Sequence, residues 1–420
     1  MTAVLDLHDS TLRLWHGDAL VESPGYAWFD GKEFRFGVPA MRTQRRTPRE
    51  VNTRYWSQLS TQPLSPPLGQ ARHAADLVHA HLKDMHQQAG QPETLLVAAP
   101  GTMDRDALSL LLGIVEHLPF TMAGLVHRSA VLASGSGLAR GLHVELQLHQ
   151  TQVTPFATND QQVTVDPGQV LPGEGLLALQ DRLATAIAGS FVSQTRFDPL
   201  RSADGEQSLY DALPGALESL QQTGEAQIAI GGYQARITRD DLEGVGAAYR
   251  RVLEPLLGDD TPVLLEGPLN LLPGLSLPAG HRDISGAQLA GVISQCGSAL
   301  IQNREHLVLN RSVPISQAPA AASPAEERYD PDQATVRVAA VPAPTHLLVD
   351  NHAHPIAGGK GSLPGTASLV PAGTGVTLAL GGDTGLQINA QPARDGQALA
   401  PGDVLDHASG YRALLIVVED

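Results

Sequence analysis

Cysteine and lysine are nearly missing from this chain. Its 420 residues include one cysteine, Cys296, and three lysines, Lys32, Lys83 and Lys360. A single thiol excludes an internal disulfide and agrees with a reducing compartment. So few ammonium groups leave little to touch a phosphate, and arginine supplies the rest of the positive charge. Cations are outnumbered altogether, 28 Lys and Arg against 44 Asp and Glu, for a formal net charge of −16. Nucleic-acid affinity is carried largely by clustered cations, so no nucleic-acid partner is expected. No apolar run approaches the roughly 18 residues of a membrane span. The start, MTAVLDLHDS, lacks the basic and apolar regions of a signal peptide. A cytoplasmic chain with no membrane partner is the expectation.

Two catalytic signatures are missing as well. The 16 histidines include His73, His79, His81 and His86 near one helix and HAHP at 352–355, placed in a loop beside Asp350. His79 and His81 are two apart and point to different faces, and no carboxylate-histidine zinc spacing occurs, so no metal site is expected. Ser129, Ser134 and Ser136 lie in RSAVLASGSG, but G-x-S-x-G is absent and a helix C-terminus accounts for the stretch.

What is present is short strands and amphipathic helices. Residues 2–22 hold three apolar runs separated by HDS and HGD, a β-meander. FDGKEFRFG reads as a hairpin and MRTQRRTPREVN as a basic loop, a solvated face suited to an acidic surface. Ala74, Val78, His81, Leu82 and Met85 share a helical face; TLLVAAP at 94–100 is a buried strand. Thr102 is placed as the cap of a helix bearing Leu108, Leu111, Leu112, Val115 and Leu118. In LHVELQLHQTQVT (142–154), Val144, Leu146 and Leu148 alternate with Glu145, Gln147 and His149, the period of a half-buried strand with QQVTVD as its return strand. A helix with Leu176, Leu179, Leu183, Ile187 and Phe191 follows. AQIAIGGYQARIT is a hairpin about Gly231-Gly232, and Thr238 and Asp241 open the next helix as a capping box. PVLLEG (262–267) is another buried strand, with a helix near 285–297. Each half runs from hairpins to strand-helix units, a weak repeat of architecture. Residues 316–333, rich in Ala, Pro and charge, form a linker. Residues 334–420 carry short alternating strands, among them TVRVAAV, THLLVD, VTLAL and LQINA, as in a small all-β sandwich.

The order of elements in 1–315, as lobes 1–140 and 141–315, resembles the ATPase domain of heat-shock-70 chaperones in the actin-like superfamily. GGYQARITRDDLEGVGAAYRRVLEPLL is the best local match, with FGVPAMRTQRRTPREVNT and VLLEGPLNLLPGL beside it. The resemblance implies a two-lobed, ribonuclease-H-like α/β fold with ATP held between the lobes by two β-hairpins. Those hairpins offer backbone N–H groups to phosphate, and an acid holds the metal through water. In the first, LDLHDSTLRL, Asp6 matches the metal-side aspartate and Ser10 a hydroxyl, while His8 stands where glycine is expected and Asp9 follows. In the second, ELQLHQ, Glu145 replaces the aspartate and Gln147 and His149 replace glycines. No lysine occurs in NTRYWSQL, the region of the family's catalytic lysine. The turn with Gly267, Pro273 and Gly274 completes the candidate nucleotide cleft. The tail is similar to forkhead-associated sandwiches, Asn389 and Gly402-Asp403 matching their motif, with Lys360 alone in the early loop.

These departures imply a degenerate relative that does not hydrolyse ATP, binds no cofactor and works as a scaffold or adaptor in a protein assembly. Its contacts would be made through 334–420 or the basic loop Arg42–Arg49, possible self-association included. Two readings compete with it: an active ATPase using Asp6, Ser10, Glu145 and Gly267 with ATP and Mg²⁺, and an actin-like filament.

Overall fold

Three antiparallel strands, β1 (Ala3–Asp6), β2 (Leu12–His16) and β3 (Ala19–Ser23), open the chain, their apolar runs separated by turns that polar residues supply. The computed structural model describes residues 2–316 except 259–260, 278–279 and 304–305. It also describes 344–416 except 350–351, 357–362, 364, 373–374, 383–384, 390 and 400–402. Strand 335–341, most of linker 316–333, Asp350, Lys360 and Gly402 lie outside the described residues. The protein is a mixed α/β chain of two compact units, Met1–Ser323 and Pro324–Asp420.

Two further strands, β4 (Thr94–Ala99) and β5 (Thr121–His127), add to the first sheet parallel to β1, giving the order β5-β4-β1-β2-β3. The second sheet repeats this plan. Its antiparallel strands are β6 (Arg140–Leu146), β7 (Gln150–Thr158) and β8 (Gln162–Val165), with β9 (Gln169–Pro172) also on β7. Then β10 (Val263–Glu266) and β11 (Arg282–Ile284) lie parallel beside β6. The strand β12 (Ser312–Pro314) closes the far edge against β8. Parallel neighbours need crossovers, and helices supply them.

Helices α1 (Ala74–Gln88) and α2 (Arg105–Glu116) bury Leu77, Leu82, Met85, Leu111 and Val115 on the first sheet. The long helices α4 (Leu176–Thr195), α5 (Ala203–Thr223) and α6 (Arg239–Leu253) cover the second. Between the sheets lies a third apolar cluster, built from α3 (Arg128–Ser134), α7 (Gln288–Cys296) and strand residues such as Val4, Leu96, Phe156 and Leu264. Every residue of α3 is buried, the opening Arg128 included. Buried apolar side chains contribute roughly 1.5–3 kcal/mol each, so this shared cluster ties the sheets firmly.

Several expectations need correction. Residues 142–154 are two strands, not one: the chain turns at 147–149, where the Gln147 N–H donates to the Gln150 carbonyl, and β7 is the return strand. QVTV is the third strand. Nor is β6 half-buried, because His143 and Glu145 are as enclosed as Val144 and Leu146. Leu148 packs with Tyr26 and Ala40, which follow the first three strands, rather than on its own sheet. The cap of α2 is Asp104, whose carboxylate accepts the Ala107 N–H at 2.8 Å, while Thr102 turns to Gln147. Helix α5 was not foreseen, since Pro214 and Gly215 in DALPGAL are breaking signals that packing overrides.

The second unit, among its described residues, holds strands and turns. One sheet takes strands 352–355, 346–349, 412–416, 404–407, 386–388 and 391–392 in that order, a smaller one 368–372, 375–379 and 398–399. Leu347, Leu378, Leu386, Leu405 and Leu415 share a single buried cluster. HAHP is therefore a strand paired antiparallel with His346–Val349, not a loop. Asn389 sits at φ 51, and its side chain donates to Asp403 at 2.8 Å and accepts the Val404 N–H at 2.9 Å.

Candidate functional site: a buried arginine between two sheets

Three apolar strands carry an acid at or near their C-terminal ends: Asp6 on β1, Glu145 on β6 and Glu266 on β10. Parallel neighbours end on the same side, so the sheets bring these carboxylates together, and Arg128, at the head of α3, enters among them. Its Nε donates to Asp6 Oδ1 at 2.6 Å and Nη2 to Asp6 Oδ2 at 3.2 Å. The other edge forks onto Glu266, Nη2 to Oε1 at 2.7 Å and Nη1 to Oε2 at 2.5 Å. Glu145 Oε2 lies 3.4 Å from Nη1. A planar guanidinium suits this double bidentate grip as no ammonium could. Arg13 stands 3.6 Å from Asp6 and adds a second, partly exposed positive charge.

Burial alone would raise both glutamate pKa values; the Arg128 charge outweighs it, holding Glu145 below and Glu266 well below the usual range. Burial pulls the arginine down, yet Asp6, Glu266 and Glu145 hold it well above its ordinary value. Glu145, Glu266 and Arg128 are therefore held in their charged forms. His143 and His8 flank it, their Nε2 atoms 3.5 and 3.9 Å from Glu266 Oε2. Their Nδ1 atoms bond the hydroxyls of Ser129 at 2.9 Å and Ser10 at 2.7 Å. Burial first, then Arg128, lowers the His8 pKa, so that ring stays neutral.

Above the knot the two hairpin turns meet. Asp9 Oδ1 accepts the Leu148 N–H at 2.8 Å, a carboxylate of the first turn on the main chain of the second. Burial raises the Asp9 pKa to about 7. The Gln147 amide donates to Thr102 at 3.1 Å and to Glu145 at 2.7 Å. His149 Nε2 contacts the hydroxyl and carbonyl of Thr53 at 2.9 and 3.0 Å.

At the outer rim the basic loop finds acids of its own chain. Arg45 reaches Asp181 at 2.7 Å and Glu206 at 3.2 Å, its guanidinium 3.8 Å above the Tyr210 ring. Arg46 holds Asp204 at 2.7 Å, and Gln207 bonds the main chain of Arg45 and Met41. The acidic surface suited to this loop is thus the face of α4 and α5. Beneath the rim lies a cavity of about 560 Å³ lined by Arg45, Thr53, Arg54, His149, Leu177 and Asp181 among others.

Of the residues expected at the site, Asp6, His8, Ser10 and Glu145 come together. Gly267 follows Glu266 at the edge of the knot, and Pro273 and Gly274 lie against α6. A Cβ on Gly274, at φ +78, would lie 2.2 Å from the Glu243 carbonyl oxygen of α6, and one on Gly246 2.0 Å from that of Pro273. Ser129 belongs to the head of α3 and the His143 bond; only Ser134 and Ser136 sit at the helix C-terminus. Arg128 and His143 were missed. The available signal was a lone charge opening a small-residue helix, with acids at the ends of apolar strands.

Magnesium and a nucleotide need free carboxylate oxygens and N–H groups open to phosphate. Here the guanidinium occupies Asp6 and Glu266 and lies against Glu145, Asp9 takes the Leu148 N–H, and the side chains of Gln147 and His149 bond Thr102 and Thr53 at the turn. These residues do not fit a magnesium nucleotide as they stand. Among the described residues, no three His, Cys, Asp or Glu form a group able to hold a metal ion, and no helix is long and apolar enough to cross a membrane. No protein-family profile matches the chain, and no curated protein matches it.

Proposed function

We propose that residues 1–315 are a degenerate two-lobed ATPase domain of the heat-shock-70 and actin-like kind. It no longer hydrolyses ATP and, with a forkhead-associated-like sandwich at 334–420, serves as a scaffold in a cytoplasmic protein assembly. Support for the fold comes from the repeated strand plan, three antiparallel strands followed by two parallel ones beside the first, in both sheets. Loss of hydrolysis rests on one observation: Arg128 bonds Asp6 and Glu266 and lies beside Glu145, in the place where the family's metal-side acids would act. A divalent cation entering there meets a resident positive charge that it must expel from a buried pair, at a cost of several kcal/mol.

Isothermal titration of the full chain with ATP and Mg²⁺, run with a phosphate-release assay, tests this. No saturable heat and no phosphate above a protein-free blank are expected. Micromolar binding with release that disappears in Asp6→Ala would establish the active ATPase instead. Filaments by negative stain at rising concentration would move the assignment to an actin-like polymer.

A further inference from the structure

We infer that the two lobes of residues 1–315 rest closed, held by the chain's own side chains, so that closure needs no ligand. The inference rests on the two-lobed reading but not on the loss of hydrolysis. Ties cross the cleft at three depths. At the base, Arg128 joins Asp6 of the first sheet to Glu266 of the second through buried, paired hydrogen bonds. At the turns, Asp9 accepts the Leu148 N–H, Gln147 donates to Thr102, and His149 bonds Thr53. Leu148 also buries its side chain fully against Tyr26 and Ala40 across the cleft. At the rim, Arg45 and Arg46 grip Asp181, Glu206 and Asp204, and Gln207 bonds the loop's main chain.

The two inner layers carry ionic charges of both signs. Arg128 gives the carboxylates of both sheets a cation, and Asp9 gives the opposite turn's N–H an acceptor. A ligand that closes two lobes must contact both, and here both contacts are already made from inside the chain. Opening would strip Arg128 of the carboxylates of one sheet, leave those buried carboxylates without their cation and expose Leu148, so the open form is disfavoured.

Hydrogen exchange by mass spectrometry on the full chain, with and without Mg-ATP, tests the inference. In the wild type, the segment 143–150 is expected to exchange slowly without nucleotide and no more slowly with it. The triple variant Asp9→Ala, Arg45→Ala, Arg46→Ala spares the buried knot. It should speed exchange at 143–150 by about tenfold or more while β4 and β10 keep their protection, which separates opening from unfolding. Fast exchange at 143–150 in the wild type, a marked slowing by Mg-ATP, or no change in the triple variant would each overturn self-closure. Phosphate release by a wild type that stays protected without nucleotide would overturn only the loss of hydrolysis.

Discussion

Arg128 has no access to solvent, and its three carboxylate neighbours come from two sheets, so its removal leaves buried charges facing one another. Arg128→Met keeps the volume and loses the cation, and should cost about 3–5 kcal/mol in urea unfolding. Adding Asp6→Asn and Glu266→Gln to it should recover part of the loss, because coupled neighbours are not additive. A single variant as stable as the wild type would show that the knot does not hold the sheets. Asp6, His8 and Glu145 were legible through the resemblance that set them in two hairpins, although the turn after Glu145 had been read as continuous strand. Arg128 was not legible: it is 122 residues from Asp6 and 138 from Glu266, and only the packed sheets bring them within hydrogen-bond reach.

Among the elements, hairpins and capped helices were readable wherever local chemistry decides. The pair Gly231-Gly232 takes φ 60 and 82, and Thr238 with Asp241 forms a full capping box. Elements fixed by tertiary partners were not: α5 runs through Pro214, and β9, β11 and β12 are short strands paired late in the sheet. Helix α6 shows the two influences opposed. Helix propensity favours Gly246→Ala by about 1 kcal/mol. A Cβ there would lie 2.0 Å from the Pro273 carbonyl oxygen, a main-chain atom that cannot swing aside. The clash should win, so Gly246→Ala is expected to lower the urea midpoint by the equivalent of about 1–3 kcal/mol. A stabilised variant would mean that the segment at Pro273 is not seated on α6.

The whole molecule carries its histidines unevenly. Burial holds His81 down to about 3 and His127 and His149 to about 4, against an ordinary 6.5. The unfolded chain therefore takes up protons that the folded chain refuses as pH falls from about 6.5 towards 4. Asp9 opposes them: raised from 3.8 to about 7, it is protonated in the fold and charged in the unfolded chain over the same window. His8 is also buried and held below its ordinary value, so three buried histidines less one aspartate, with half-buried His149 counted in part, leave a net uptake of about two to three protons on unfolding. Stability should fall by about 2.7–4.1 kcal/mol per pH unit between pH 6.5 and 4, measured as the urea midpoint at several pH values. A flat or rising profile on acidification would contradict the neutral burial of His81 and His127. The spacing of the knot also sets an order of birth. On the ribosome Asp6 emerges first, Arg128 follows, and Glu266 is made only after most of the second sheet and its helices. Until then the nascent first sheet carries a guanidinium with one edge ungripped, so its maturation waits on residues that have yet to be translated.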